Sequence, residues 1–237
     1  MINRWPHGTI TLCRIPGSFP WYATDREPLI VRVLPIAKGA LFALCLTASG
    51  LVAAGELALF RGQGADVNLP DIIPKLFKGE IDMDPTWFWG LNYSREIDLQ
   101  GLNPVSRFLL KYRITPEWEV QLTRHHGLQD NYESHLAWLL RSPNLALGRV
   151  MTTNFAAGMG PSYAFSTPTY EDGDNGQPNQ GEYQFQNYVT FELEFGTPAL
   201  PDWSLALRVH HRSGMYGLIA PPKVGSNFFA LGVRHRF

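Results

Sequence analysis

Trp203-Ser-Leu-Ala-Leu-Arg-Val-His-His-Arg-Ser213 and Phe228-Phe-Ala-Leu-Gly-Val-Arg-His-Arg-Phe237 are the two stretches that decide the fold of this chain. Each alternates large apolar residues with small or basic ones, and a period of two puts the two sets on opposite faces of a β-strand. One face is therefore apolar, and the other carries Arg208 in the first stretch and Arg234 and Arg236 in the second. We interpret the apolar face as facing lipid and the arginine face as facing the interior of a barrel.

Six further segments show strand patterns upstream of these two. They are, roughly, 85–95, 105–114, 117–126, 131–141, 149–163 and 182–195. The total of eight is even and is the smallest size of an outer-membrane barrel. The sequence therefore predicts an all-β chain, an eight-stranded antiparallel transmembrane β-barrel. At this size the interior is just filled by side chains, so we do not expect a pore.

The predicted interior contains charges of both signs, which must pair because unpaired buried charges are costly. The inward carboxylates and cations are predicted to be Glu117, Glu119, Glu133, Glu192 and Glu194, and Arg107, Lys111, Arg113, Arg208 and Arg234.

An apolar run between residues 39 and 55 ends in small residues and is typical of a secretory signal peptide. It is too short and too rich in small residues for a transmembrane helix. We therefore expect residues 1–55 to be an N-terminal extension and signal peptide that is cleaved. Both cysteines, Cys13 and Cys45, lie in the removed part, so the exported chain should have no thiol chemistry.

The exported part is predicted to consist of an N-terminal lead segment, 56–84, and the outer-membrane β-barrel, 85–237. Residues 1–55 contain five of the 20 basic and two of the 21 acidic residues, so the remainder has a net charge of −4. This charge gives no sign of a nucleic-acid partner.

The last predicted strand closes on an aromatic residue, Phe237. This ending resembles the C-terminal signal of bacterial outer-membrane barrels, which is read by the barrel assembly machinery. The resemblance implies a location in the outer membrane of a Gram-negative bacterium and an interaction of Phe237 with that machinery. Strand parity and loop lengths place the C-terminus at the periplasmic side and the end of the strand 203–213 at the cell exterior.

His211 and Ser213 lie at that exterior end and share the lipid-facing side of their strand. Residues two apart on a strand are about 7 Å apart between Cα atoms. An imidazole can reach a hydroxyl at this spacing, which is the arrangement that a serine nucleophile needs. An interfacial histidine and serine solvated among lipid headgroups would have the same pattern.

A signal peptide, a small barrel and an outward His-x-Ser together resemble the lipid A 3-O-deacylases of the PagL type, which are eight-stranded outer-membrane esterases. The resemblance implies that Ser213 is the nucleophile, that His211 is the general base, and that lipid A, or lipopolysaccharide, is the lipid partner. Two positions depart from the family. Gly214 stands where the family has Asn after the serine, and the family's catalytic Glu has no counterpart after His211.

Other residues would then have to orient His211. Asn227 or Ser226, at the start of the last strand, can do so, as Asn does in Cys-His-Asn enzymes. An acid from the long loop, Glu171 or Asp172, is the alternative.

Two further functions are compatible with the sequence: a non-catalytic structural barrel, and a ligand-binding or adhesion barrel that uses the outer loop 165–181. Three inward histidines, His125, His135 and His210, could bind a metal ion, but their spacing matches no metal motif. We interpret them as hydrogen-bonded histidines beside Glu133, and the sequence predicts no cofactor and no metal.

Overall fold

The computed structural model describes residues 55–101, 103–171, 183–221 and 224–237. The predicted signal peptide lies outside the described residues. In chain order the described α-helices and strands are β1 (Glu56–Asp66), α1 (Ile72–Lys78), β2 (Asp82–Glu96), α2 (Pro104–Tyr112), β3 (Thr115–Gly127), β4 (Tyr132–Arg141), β5 (Leu145–Leu147), β6 (Met151–Ala164), β7 (Phe185–Thr197), β8 (Leu200–Ser213) and β9 (Gly225–Arg236). Three short 3-10 helices lie in the described connections, at Leu69–Asp71, Thr169–Glu171 and Met215–Gly217.

Eight of these strands close into an antiparallel barrel. β4 pairs with β6, and β1 closes the barrel by pairing with β9. The short strand β5 pairs with the start of β6. Where β6 approaches β4 the backbones are so close that a Cβ on Gly160 would lie 2.0 Å from the carbonyl oxygen of Leu136. The predicted fold class, an eight-stranded antiparallel β-barrel, is confirmed.

The eight strands are not the eight that the sequence pattern predicts. The segment 56–84, predicted to lead into the barrel, contains the barrel strand β1, so the barrel begins at Glu56 and not at residue 85. The segment 105–114, predicted to be a strand, is largely helix α2. The prediction thus misses β1 and adds a strand at 105–114. Because the two errors cancel, the predicted number of strands and the predicted direction of the last strand are unchanged.

Helix α2 forms because its N-terminal signals outweigh the alternation of its apolar residues. The Asn103 side chain accepts a hydrogen bond from the backbone N–H of Ser106 at 2.8 Å. The Ser106 hydroxyl accepts one from the Asn103 N–H at 3.2 Å, and Pro104 occupies the first helical turn. Reciprocal capping and an initial proline are strong helix-start signals.

The sequence does not predict β1 as a barrel strand, because two neighbouring residues reverse the usual alternation of apolar outward and charged inward side chains. Phe60 points into the barrel, where its ring lies 4.3 Å from the guanidinium carbon of Arg208. Arg61 points outward and lies 5.1 Å from the ring of Trp89 on the barrel surface. An inward aromatic next to an outward arginine is the reverse of the arrangement in β8 and β9.

The outer surface of the barrel is apolar. Exposed large apolar side chains occur on all eight barrel strands, and they include Leu57, Leu59, Trp89, Leu91, Val120, Leu122, Trp138, Leu140, Phe155, Met159, Phe191, Leu193, Leu205, Leu207, Leu231 and Val233. A closed antiparallel barrel with an even strand number and an outward apolar band is the architecture of outer-membrane barrels. We assign the chain to the outer membrane on that ground.

The described residues contain no helix that is both long and apolar enough to cross a membrane.

The interior is filled by ion pairs. Arg208 binds Glu119 at 2.7 Å and Glu192 at 2.6 Å, and Arg234 binds the same Glu192 at 2.6 Å. At the end of the barrel where β9 ends, Arg141 binds Glu117, also at 2.6 Å. The predicted inward carboxylates are all buried, and so are Arg208 and Arg234. The prediction is wrong for Arg107, Lys111 and Arg113, which are exposed on α2 and at its C-terminal cap. Arg141 and Arg212, whose positions in the strand alternation also predict an inward side chain, are buried.

Candidate active site

His211 and Ser213 lie at the outer end of β8, and both are half-buried on the outward side of the barrel. Their neighbours His210 and Arg212 are fully buried in the interior, as the alternation of a strand requires. Cross-strand pairing places Asn227 of β9 directly opposite His211. The side chains of His211 and Asn227 therefore lie side by side on the outer surface.

A chain of two hydrogen bonds fixes the orientation of the imidazole. The Asn227 amide nitrogen donates to the backbone carbonyl of Val67 at 2.6 Å, which leaves the Asn227 amide oxygen facing His211 Nδ1 at 2.8 Å. A carbonyl accepts only from the NH2 group, so the amide cannot be turned around, and Nδ1 must be the nitrogen that carries the proton. Nε2 of the neutral imidazole is then the basic nitrogen.

Of the residues that the sequence suggests as partners of His211, the structure shows which one contacts it. Asn227 contacts it, whereas the Ser226 hydroxyl points inward and donates to Glu171 at 2.8 Å. Glu171 is buried and binds Arg212 at 2.7 Å inside the barrel. Burial raises the pKa of the Glu171 carboxyl, because desolvation outweighs the attraction of Arg212. Asp172 lies outside the described residues.

The segment between β1 and β2 forms one flank of the site. It packs on the outer surface of β8 and β9, where Val67 and Ile72 cluster with Val209 and Phe229. The same segment supplies the Val67 carbonyl that holds Asn227. Phe77 of its helix α1 is 87% exposed.

A further polar side chain, Asn187 of β7, lies next to Ser213. The two residues are cross-strand partners, and their side chains therefore point to the same, outward side of the sheet. Asn187 is 6% exposed, in contrast to the lipid-facing residues that follow it on β7. No pattern in the sequence points to Asn187, because only the register of β7 against β8 brings it beside Ser213.

The Ser213 hydroxyl forms no hydrogen bond with any residue in the described part of the chain, so none of those residues holds it away from His211. Hydrogen bonds between a nucleophile and its base are often long without substrate and tighten when substrate binds. The arrangement thus has a basic imidazole nitrogen, a serine hydroxyl two residues along the same strand and a neighbouring amide. These are the groups that acyl transfer by a serine nucleophile requires.

Solved structures of outer-membrane barrels are among those similar to the chain. No protein-family model matches the sequence, and no curated protein is similar to it in sequence. The crystal structure of the outer membrane enzyme PagL is 15% identical, covers 77% of this chain and 99% of its own, and has a TM-score of 0.49.

Two further solved structures have the same relation to the chain. Neisserial surface protein A is 10% identical over 78% of this chain and 99% of its own, with a TM-score of 0.42. The N-terminal β-barrel domain of OprF from Pseudomonas aeruginosa is 10% identical over 78% and 97%, with a TM-score of 0.40. These low identities assign no activity to the chain.

Proposed function

We propose that this protein is an outer-membrane esterase that removes an ester-linked acyl chain from lipid A. Ser213 is the nucleophile, His211 is the general base, and Asn227 positions His211. The observation that carries the proposal is the pair of hydrogen bonds from Asn227 to Val67 and to His211. They hold the imidazole in the tautomer whose Nε2 accepts the proton, and the Ser213 hydroxyl lies two residues along the same strand.

The reaction follows the general course of acyl transfer through a serine. His211 Nε2 takes the proton of the Ser213 hydroxyl as the oxygen attacks the ester carbonyl carbon. The tetrahedral intermediate collapses with cleavage of the bond to the sugar oxygen, which receives the proton from His211. Water, activated by the same imidazole, then hydrolyses the acyl–Ser213 ester and releases the fatty acid.

Asn187 is proposed to stabilise the oxyanion of that intermediate. Its amide is largely shielded from solvent and lies across the strand pair from Ser213. A donor placed where negative charge develops stabilises the transition state more than the ground state.

The position of the site matches a lipid substrate. His211 and Ser213 face outward at the exterior end of β8, directly beyond the apolar residues Leu205, Leu207 and Val209 of the same strand. A substrate that reaches them along the membrane plane must have its ester near the polar boundary of the outer leaflet and its acyl chains beside the apolar band. Lipid A has both features.

Mass spectrometry of lipid A from cells with and without the gene tests the proposed function. We expect the cells that express the protein to contain a lipid A species lighter by one ester-linked acyl chain, and we expect Ser213→Ala to abolish it. An identical lipid A profile in all three strains would favour a non-catalytic structural barrel instead.

We also propose that the barrel assembly machinery reads Phe237. Phe237 continues the seam of the barrel, because its N–H donates to the Gly55 carbonyl at 3.0 Å and its carbonyl accepts from the Gly55 N–H at 3.1 Å. Deleting Phe237 should lower the amount of folded protein in the outer membrane while the same variant still refolds in detergent. Unchanged assembly in cells would contradict this role.

A further inference from the structure

Three histidines and a glutamate meet inside the barrel near its outer end. His125, Glu133, His135 and His210 come from β3, β4 and β8, and each is at most 2% exposed. They lie on the other side of the barrel wall from the proposed catalytic residues. The proposed esterase reaction does not use them.

The side-chain atoms of this cluster converge on the Glu133 carboxylate. His125 Nε2 lies 2.9 Å and His135 Nε2 lies 3.6 Å from the same oxygen, Glu133 Oε2. One ligand atom from each of His125, Glu133 and His210 lies within 4.8 Å of the others. The rings of His135 and His210 have their centroids 4.8 Å apart.

The histidines are short of hydrogen-bond partners. Within the described part of the chain, neither nitrogen of His210, neither nitrogen of His135 and not Nδ1 of His125 has a hydrogen-bond partner. Buried polar atoms in folded proteins are nearly always partnered, so five such nitrogens in one place require an explanation. Aromatic rings surround His210, with Phe88 at 4.9 Å and Tyr188 at 4.8 Å between ring centroids.

The interior of the barrel also has more carboxylates than guanidinium groups, which favours the binding of a cation. Six glutamates and four arginines are buried among the described residues, and the partly buried pair Glu56 and Arg236 adds one of each sign. Carboxylates therefore exceed guanidinium groups by two. In the outer half one arginine, Arg212, serves both Glu133 and Glu171, at 2.7 Å from each.

We propose that His125, Glu133 and His210, with His135 as a fourth ligand, form a binding site for a divalent metal ion of the zinc type. Three imidazoles and one carboxylate are a ligand set that zinc and cobalt bind tetrahedrally, with metal–ligand distances of about 2.0–2.2 Å. Ligand atoms around such an ion are about 3.3 Å apart, so closing the 4.8 Å separation requires a contraction of about 1.5 Å. Side-chain rotations can supply it.

The other contacts of Glu133 prepare it for this role. Its second oxygen, Oε1, accepts hydrogen bonds from Gln129 and Asn131 at 2.9 and 3.2 Å and pairs with Arg212. Oε2 is thereby turned toward the histidines. Partners of this kind, beyond the ligands themselves, orient the ligands of protein metal sites.

Cobalt binding to the folded, metal-free barrel in detergent tests the proposal, with Co²⁺ itself as the probe. We expect one equivalent to bind, with the intense visible absorption of tetrahedral cobalt, and Zn²⁺ to displace it. His210→Phe should weaken Co²⁺ binding by about 100-fold or more, because it removes a ligand. The phenyl ring should preserve the packing against Phe88 and Tyr188, so that the variant still folds.

His126→Phe is the matched control. His126 is on β3 like His125, but it lies outside the cluster and stacks on Trp87, with 5.8 Å between the ring centroids. A phenyl ring at this position keeps that contact. Cobalt binding should be unchanged in this variant. Absence of a tetrahedral cobalt spectrum in the wild-type protein, or equal Co²⁺ affinity in wild-type and His210→Phe proteins, would overturn the proposal. Neither result depends on esterase activity.

Discussion

Replacing Asn227 tests whether this residue positions His211. The 2.8 Å contact between the Asn227 amide oxygen and His211 Nδ1 is the bond that fixes the tautomer. A single neutral hydrogen bond is worth about 0.5–1.5 kcal/mol net. Because about 1.4 kcal/mol corresponds to a factor of ten in rate, Asn227→Ala should lower kcat by about 2- to 13-fold.

Asn227→Asp separates positioning from a purely structural role. Alanine and aspartate both remove the amide N–H that binds the Val67 carbonyl at 2.6 Å, so both release the β1–β2 segment. Aspartate alone keeps an acceptor for Nδ1 of His211 and should retain most of the activity.

Steady-state hydrolysis of a soluble ester by the refolded variants measures these effects. Heat-dependent migration in detergent gels confirms that each barrel is folded. Equal loss of activity in the alanine and aspartate variants would refute the positioning role and indicate that Asn227 only anchors the segment through Val67.

Three further predictions concern the lipid face, the interior and the oxyanion. Leu207 is 49% exposed in the middle of β8, and Leu207→Arg should lower the free energy of unfolding in bilayers by about 2–4 kcal/mol. His235→Arg, at the predicted periplasmic rim, should lower it by only about 0–1 kcal/mol. Equal losses would contradict the assigned lipid face. Arg208→Leu leaves the buried Glu119 without its arginine and removes one of the arginines that bind Glu192. It should cost about 3–5 kcal/mol in urea titrations. Arg124→Ala, which removes a half-exposed arginine paired with the exposed Asp130, should cost under about 1 kcal/mol; similar costs would contradict the interior network. Asn187→Ala should lower kcat by about 100-fold or more with little change in KM, and an unchanged kcat would exclude it from the oxyanion site.

The sequence predicts the strands that have lipid on one side and charged residues on the other. In β3 the inward residues Glu117 and Glu119 alternate with the outward Trp118 and Val120, so the period of two is plain. β1 lacks this contrast because Phe60 points in and Arg61 points out. α2 has apolar residues that satisfy both a period of two and a helical period, and the capping contact between Asn103 and Ser106 decides between them.

The candidate site was only partly predictable, because its contacts depend on register. His211 and Ser213 are visible as a His-x-Ser on one strand. Asn227 can be proposed from its position at the start of β9, but its pairing with His211 depends on how the connection from β8 to β9 is built. Val67 is 160 positions away from Asn227, and no local pattern connects the two.

The cluster of histidines inside the barrel could not be predicted from the sequence either, for the same reason. His125, His135 and His210 follow no metal-ligand spacing along the chain, and spacing alone therefore predicts no metal site. Barrel closure places β8 across the interior from β3 and β4. Their inward side chains then bring the three rings together around Glu133. In a barrel, ligands from distant strands converge without any short motif.

The release of fatty acid from lipid A by the purified, refolded protein tests the central claim most directly. The measurement compares wild-type protein with Ser213→Ala, both verified as folded barrels by their migration before and after heating. We predict that the wild-type protein releases one fatty acid per lipid A molecule and that Ser213→Ala releases none above background. No release by the folded wild-type protein, or equal release by the two proteins, would contradict an esterase with Ser213 as its nucleophile.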